Sequence, residues 1–339
     1  KAAMQGPRHK RVPNDCDVNP IVTGHEFAGV IVKVGEMWKD QFTAGEKFAI
    51  QPALNYKGSM DSPGYSFRWY GGNMTYAIIP KEVMEINCLI KYEGEAYFEA
   101  SLAEPMSCNI GAFNAAYHTI PSTYKHVMGI KENGAMAILG GCGPMGMGSI
   151  DYAIHREIKP KVLVVTDISD DRIKRASAVL TVEEAKKHGV NLYYVNPNNH
   201  KDPVEYIKSL NNGLGFDDVM VYVPVKDLVI QGDQLLGKDG TLNFFAGPID
   251  NQFSAPINLY NIHYAATKII GSTGGNTDDM LESLDMTAKK LITPAVMLTH
   301  IGGLDSAGET IINLPNIPGG KKLIYTQVDM PLIAIKDFK

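Results

Sequence analysis

The chain has 339 residues, 45% hydrophobic content and a formal net charge of −5, with a pI near 6.0. That length can bury more than one core and favours two domains. The acidic balance excludes a general nucleic-acid or anionic-membrane binder, because both need a basic surface, so the expected partner is a small molecule, with no nucleic acid and no membrane.

Cys16, Cys88, Cys108 and Cys142 form no CxxC pair, so they read as reduced thiols of a cytoplasmic protein. No apolar run approaches the ~20 residues of a membrane span. The opening Lys1-Ala2-Ala3-Met4-Gln5-Gly6 lacks the apolar core of a signal peptide. The chain starts on Lys1 rather than Met and without an element start signal, and a further segment upstream is expected.

In chain order, Gly24-His25-Glu26 sets an imidazole beside a carboxylate just ahead of an apolar run. Alone, such a pair is more often a packed histidine beside a solvated glutamate. Residues 29–34 (GVIVKV) and 47–51 (KFAIQ) are short, rich in β-branched or apolar residues and flanked by Gly, which predicts strands of a β-rich first segment. Residues 55–73 carry Gly, Ser, Tyr and Pro with almost no periodicity and are expected to form a long surface loop. Its Lys57 and Arg68 are candidates for an anionic group on a substrate, and equally read as solvated surface cations. Glu104, followed by Pro105, is expected to be locally extended, as suits a fixed ligand, although most Glu-Pro pairs are surface turns.

After about residue 117 the pattern alternates. Residues 135–139, 162–166, 192–195, 219–223, 242–246 and 267–271 are buried-strand candidates, with helical stretches such as 203–210 and 227–236 between them. This predicts an α/β fold with a parallel sheet and helices on both faces, because parallel neighbours require crossovers. Residues after 275 return to mixed structure ending in a strand at 322–326 and are expected to rejoin the first domain. The expected domains are therefore residues 1–116 with 276–339, and residues 117–275.

Directly after the first strand of the alternating region stands Gly141-Cys142-Gly143-Pro144-Met145-Gly146, a GxGxxG opening a helical run. Gly141 permits the tight turn, Gly143 lets backbone approach a pyrophosphate, and Gly146 allows close helix–sheet packing. The next strand ends in Asp167, near the ~20-residue offset at which an acid binds the adenosine ribose. Asp167 favours NAD(H), while Arg172 with Lys174 leaves NADP(H) open. Val223, closing a later strand candidate, joins the cofactor set. An S-adenosylmethionine domain shares some of this grammar, but the full motif with Pro144 at the helix start fits a nicotinamide enzyme better. In that context His25 and Glu26 gain a purpose, a Lewis-acid metal opposite the nicotinamide.

GHEFAGVIVKVG (24–35), GEKFAI (45–50), AEPMS (103–107) and GGCGPMG (140–146) together resemble the zinc-dependent medium-chain dehydrogenase/reductase family, nearest its sorbitol dehydrogenase branch. IQPALNYKG (50–58) and FFAGP (244–248) resemble the L-sorbose 1-phosphate reductases within it. The resemblance implies a GroES-like β-rich catalytic domain plus a Rossmann domain, with the active site in the cleft between them. It implies His25 and Glu104 as zinc ligands and Glu26 as a neighbouring carboxylate able to bind the metal transiently. The family's remaining ligand, a cysteine, falls at or before Lys1, as does its hydroxyl proton relay; Cys16 lies too close to His25 to match and reads as a loop thiol. No cysteine cluster for a structural zinc is present, so one catalytic Zn2+ is expected. The family's equivalent turn places Ser272 and Thr273 near the nicotinamide carboxamide, and residues 257–270 where relatives form a sheet-edge contact, implying a homodimer or homotetramer.

The expected reaction is hydride transfer between NAD(P)H and a sugar or sugar-phosphate carbonyl, with L-sorbose 1-phosphate reduced to glucitol 6-phosphate as the leading case. Another polyol or alcohol, a zinc-free quinone or enoyl reductase, and a non-enzymatic crystallin-like member are the alternatives; His25, Glu26 and Glu104 argue against the last two. His118, His126, His155, His263 and His300 show no partners at ligand spacing and are expected to be surface or packing histidines.

Overall fold

The structure is a computed structural model that describes residues 5–338. The position expected to supply a cysteine ligand, at or before Lys1, lies outside the described residues. The chain divides into two compact units, Lys1–Ser107 with Asn276–Lys339, and Cys108–Gly275.

In the first unit β1 (Ala28–Val30), β2 (Lys47–Ile50) and β3 (Leu89–Lys91) form an antiparallel sheet in that order. The strand predicted over residues 29–34 is shorter because β2 offers few partners: beyond Val30 only Ile31 continues the bonding, with Glu46 and Gly45, and Val32 stands 64% exposed. Ile50, Tyr70, Val83, Cys88 and Leu89 make the local core with Phe48. Tyr70 corrects the expectation of a surface loop over residues 55–73. Its ring is fully buried, as is Ser62, whose hydroxyl donates to the Pro52 carbonyl at 2.5 Å. A stretch without periodicity can still be core when aromatic side chains point inward and glycine lets its backbone lie close to a neighbour.

Glu104 is also placed differently from expectation. It sits in the first turn of the helix Ala103–Ala115 rather than in extended chain. The proline bias against helix is outweighed because Ala103, Met106, Ile110 and Phe113 recur at helical spacing and are all buried, and because Pro105 lies where a missing N–H costs no intrahelical bond.

The second unit begins with the antiparallel pair β4 (Tyr117–Thr119) and β5 (His126–Met128). Six strands then form one parallel sheet: β6 (Ala135–Leu139), β7 (Val162–Thr166), β8 (Asn191–Val195), β9 (Phe216–Val221), β10 (Leu236–Phe244) and β11 (Lys268–Gly271). Their order is β11-β10-β9-β6-β7-β8, so the chain starts at the centre, runs to one edge, returns beside β6 and runs to the other. Right-handed crossovers in opposite directions put helices on opposite faces, the Rossmann doubly wound arrangement. Continuous apolar strands follow from two covered faces: β6 is buried at every position and β7 at all but its first. The chain then returns to the first unit with β12 (Leu298–Gly303), β13 (Lys321–Tyr325) and β14 (Ile333–Ala334), a mixed sheet with β12 central. Among the described residues no helix is long and apolar enough to cross a membrane.

His118 corrects the expectation of a partnerless histidine. Its Nε2 lies 3.0 Å from Asp218 Oδ1 and its Nδ1 3.1 Å from the Asp239 carbonyl. With Asp218 ionised both neighbours accept and both ring nitrogens donate, an imidazolium facing a carboxylate, a pairing that works against the burial that raises the Asp218 pKa. Burial alone would lower the His118 pKa, but the hydrogen bond and charge of Asp218 outweigh it and the net shift is upward from 6.5. A raised histidine pKa stabilises the fold fully below the unfolded value and ceases to do so as pH rises through the folded one. His118→Gln is expected to cost about 3 kcal/mol at pH 6, by leaving the buried Asp218 carboxylate underpaired. Thermal unfolding across pH 6 to 9 should show the gap between wild type and variant narrowing as pH rises; a constant gap would contradict the charged pairing.

Candidate active site

His25 is held by backbone contact. Gly24 turns at φ +91°, and its carbonyl accepts from Gly72 N at 2.7 Å, while Thr23 O accepts from Asn73 N at 3.0 Å. A Cβ on Gly64 would lie 2.2 Å from Gly24 O, and one on Gly71 would lie 2.7 Å from Val22 O. Only glycine permits this approach. The glycine-rich stretch is thus the wall against which the His25 turn is built.

His25, Glu26 and Glu104 each offer a ligand atom, all within 4.8 Å of one another. Burial lowers the His25 pKa, with Lys321 adding to the effect and Glu26 opposing it; the imidazole is neutral at pH 7, the form that ligates metal. For Glu26, burial opposes ionisation, but the Lys321 ammonium outweighs it by its charge and hydrogen bonds and the pKa falls. Lys321 Nζ donates to both Glu26 oxygens at 2.7 Å. Tetrahedral zinc with bonds of ~2.0–2.2 Å sets ligand atoms about 3.4 Å apart. The cluster therefore fits a zinc after side-chain movements of about an ångström, with a donor set of one imidazole and carboxylates that suits that ion. Lys321 competes for Glu26, so His25 and Glu104 are the better-placed ligands.

Two residues here escape sequence reasoning. The Tyr65 hydroxyl lies 3.1 Å from His25 Nε2, with the rings 4.5 Å apart, and His9 stacks on Tyr65 at 4.9 Å. Lys321, which opens β13, is the other. Neither position carries a motif.

In the second unit the loop after β6 leads into the helix Pro144–His155, capped by Gly143 in extended conformation. Gly141 N donates to Thr166 O at 2.8 Å, and a Cβ on Gly146 would fall 2.1 Å from Gly141 O. Around Gly143 a Cβ would meet nothing within 4 Å, which leaves an open approach to the first-turn amides. Those amides have no intrahelical acceptor and favour an anion. Met145 O accepts from Asn109 Nδ2 at 3.1 Å, and Val223 Cγ2 lies 2.5 Å from where a Gly140 Cβ would stand. The Cys142 thiol is pushed up to about 12, chiefly by burial, and is inert at pH 7. Asp167 follows β7 and is 4% exposed, with Oδ1 accepting from Ser169 N at 3.1 Å and 3.5 Å from Arg172 Nη1. Ser272, after β11, lies with its hydroxyl 3.4 Å from Asn243 Oδ1, and Thr273 beside it is exposed.

Lys57 stands in a left-handed turn with its ammonium 4.8 Å over the Tyr56 ring. Arg68 leans toward Asp15 at 3.8 Å, both about half exposed. Each is thus occupied by a local partner.

The description zinc-binding dehydrogenase fits residues 144–289, which match that family's profile. A mannitol-1-phosphate 5-dehydrogenase of Aliivibrio fischeri is 54% identical over 338 residues, 100% of this chain and 80% of that protein. An L-sorbose 1-phosphate reductase of Klebsiella pneumoniae is 47% identical over 335 residues, 99% of this chain and 80% of that protein. The 2R,3R-butanediol dehydrogenase of Bacillus subtilis has the same fold at a TM-score of 0.72 and 20% identity, over 95% of this chain and 85% of that one. The parallel sheet with its glycine turn, the β-rich unit with its imidazole–carboxylate cluster, and these likenesses agree: the chain belongs to the zinc-binding dehydrogenase family and is an oxidoreductase of the alcohol dehydrogenase class.

Proposed function

We propose that the enzyme interconverts a hexose phosphate ketone and a hexitol phosphate with zinc and a nicotinamide cofactor, and that L-sorbose 1-phosphate and glucitol 6-phosphate are its pair. The observation that carries the chemistry is the His25–Glu26–Glu104 cluster, three donors within 4.8 Å in the same chain as a dinucleotide loop. The substrate class is supported by the relatives of 54% and 47% identity, whose names both specify phosphorylated six-carbon sugars. The first of them favours a second reading, oxidation of mannitol 1-phosphate at C5. The two readings differ in where the phosphate lies. In L-sorbose 1-phosphate the carbonyl is next to the phosphate-bearing carbon, whereas C5 of mannitol 1-phosphate is remote from it.

When bound, zinc acts as a Lewis acid on the substrate oxygen and the nicotinamide carries hydride. The chain's own residues prepare both. His25 presents a neutral imidazole, Tyr65 fixes its orientation by a hydroxyl contact to Nε2, and Glu104 supplies a carboxylate from a helix start. Lys321 keeps Glu26 ionised, so Glu26 can hold a proton-bearing group of the substrate or a water at its oxygens. Gly141 to Gly146 bind the cofactor pyrophosphate at the helix start, and Asp167 accepts from the ribose hydroxyls, which favours NAD(H) over NADP(H).

Two outcomes test this reading. His25→Ala and Glu104→Gln should each lower kcat/KM by about 10³-fold or more, and reduce the zinc recovered with the protein; unchanged activity in metal-free protein would contradict it. With L-sorbose 1-phosphate as substrate, Asp167→Ala should cut the preference for NADH over NADPH by about tenfold or more, read as the ratio of the two kcat/KM values. Comparing that substrate with mannitol 1-phosphate on the wild type separates the two readings.

A further inference from the structure

We propose that His155, Glu184 and His188 form a second transition-metal site, for a divalent ion of the zinc class, built into the dinucleotide-binding unit. Their ligand atoms lie within 4.8 Å of one another, and none belongs to the His25 cluster.

Glu184, in the first turn of Val182–Lys187, and His188, which caps its end, stand one helical turn apart, and the Thr181 hydroxyl starts that helix by accepting from Glu184 N at 3.1 Å. An i,i+4 carboxylate–imidazole pair puts two ligands on one face at the spacing a chelate needs. His188 Nε2 is already 3.2 Å from Glu184 Oε1. The third donor comes from the end of a different helix. His155 closes Pro144–His155, and its ring meets that of His188 edge-on at 4.5 Å between centroids.

The support behind His155 distinguishes this group from a chance surface trio. Its Nδ1 is 2.9 Å from Asp151 Oδ1, and Asp151 is 1% exposed inside the helix. A buried carboxylate that accepts from Nδ1–H fixes the tautomer and leaves Nε2 as a basic ligand nitrogen, the usual carboxylate–histidine–metal arrangement. Two imidazoles and a carboxylate, with water completing the shell, suit zinc and its neighbours better than magnesium or calcium, which prefer oxygen alone. The competitor is Lys187, whose Nζ lies 2.9 Å from Glu184 Oε2. That pair is exposed, so it opposes a metal only weakly, and at Oε1 a metal would replace the contact to His188 Nε2. A bound ion would pin the far end of the helix whose start forms the dinucleotide loop.

The experiment uses full-length, chelator-stripped enzyme titrated with Zn2+ by calorimetry, with thermal unfolding measured alongside. Wild type should bind one more equivalent than His188→Ala, and Glu184→Gln should weaken that extra event at least tenfold. In a His25→Ala background the event should persist and raise the unfolding temperature, and adding His188→Ala should abolish both. His188 is exposed, so its removal spares the fold. Equal zinc stoichiometry and an equal thermal shift in wild type and His188→Ala would overturn the proposal. If His25→Ala fails to fold, the comparison of wild type with His188→Ala decides alone.

Discussion

Backbone packed on backbone is the constraint on which the candidate active site depends. The Thr23–Gly24 turn that presents His25 is bonded to Gly72 and Asn73, and it is approached so closely by Gly64 and Gly71 that no side chain could stand at either. A ligand placed on a loop would lose its geometry to loop motion. Here the loop is clamped by amide–carbonyl bonds and by a wall in which Gly64 N donates to the carbonyl of the buried Tyr70 at 3.2 Å. A Cβ at Gly64 would drive the wall off the turn and with it the imidazole.

Electrostatics then sets the protonation of what the clamp positions. The same few side chains hold His25 neutral and Glu26 charged, because burial penalises both ions while Lys321 relieves only the carboxylate. That division gives a metal one imidazole it can take without displacing a proton, and a carboxylate that already has a cationic partner. Glu104 arrives from another direction, on a helix whose apolar stripe is anchored in buried Ala103 and Met106.

What could be read in the sequence was local. The buried strands β6 and β7 are continuous apolar runs bounded by turn residues, and the GxGxxG between them needs only its own neighbours to be recognised. His25, Glu26 and Glu104 were named by motif, and the structure brings their donors together. Partners distant in the chain could not be read: Tyr65 is 40 residues from His25, Lys321 is 295 from Glu26, and Asp218 is 100 from His118. At Glu104 two local signals conflict, the proline that follows it and the helical spacing of the buried Ala103, Met106, Ile110 and Phe113, and the packing wins. Asp151 and His155 were legible in principle, because an acid four residues before a histidine within an apolar helix has to find a partner.

The central claim is that His25 and Glu104 hold the catalytic ion. Crystals of the enzyme measured on both sides of the zinc absorption edge test it most directly. The account predicts an anomalous peak ~2.0–2.2 Å from a His25 ring nitrogen and from a Glu104 carboxylate oxygen. Zinc-replete crystals with no peak between those two side chains would contradict it.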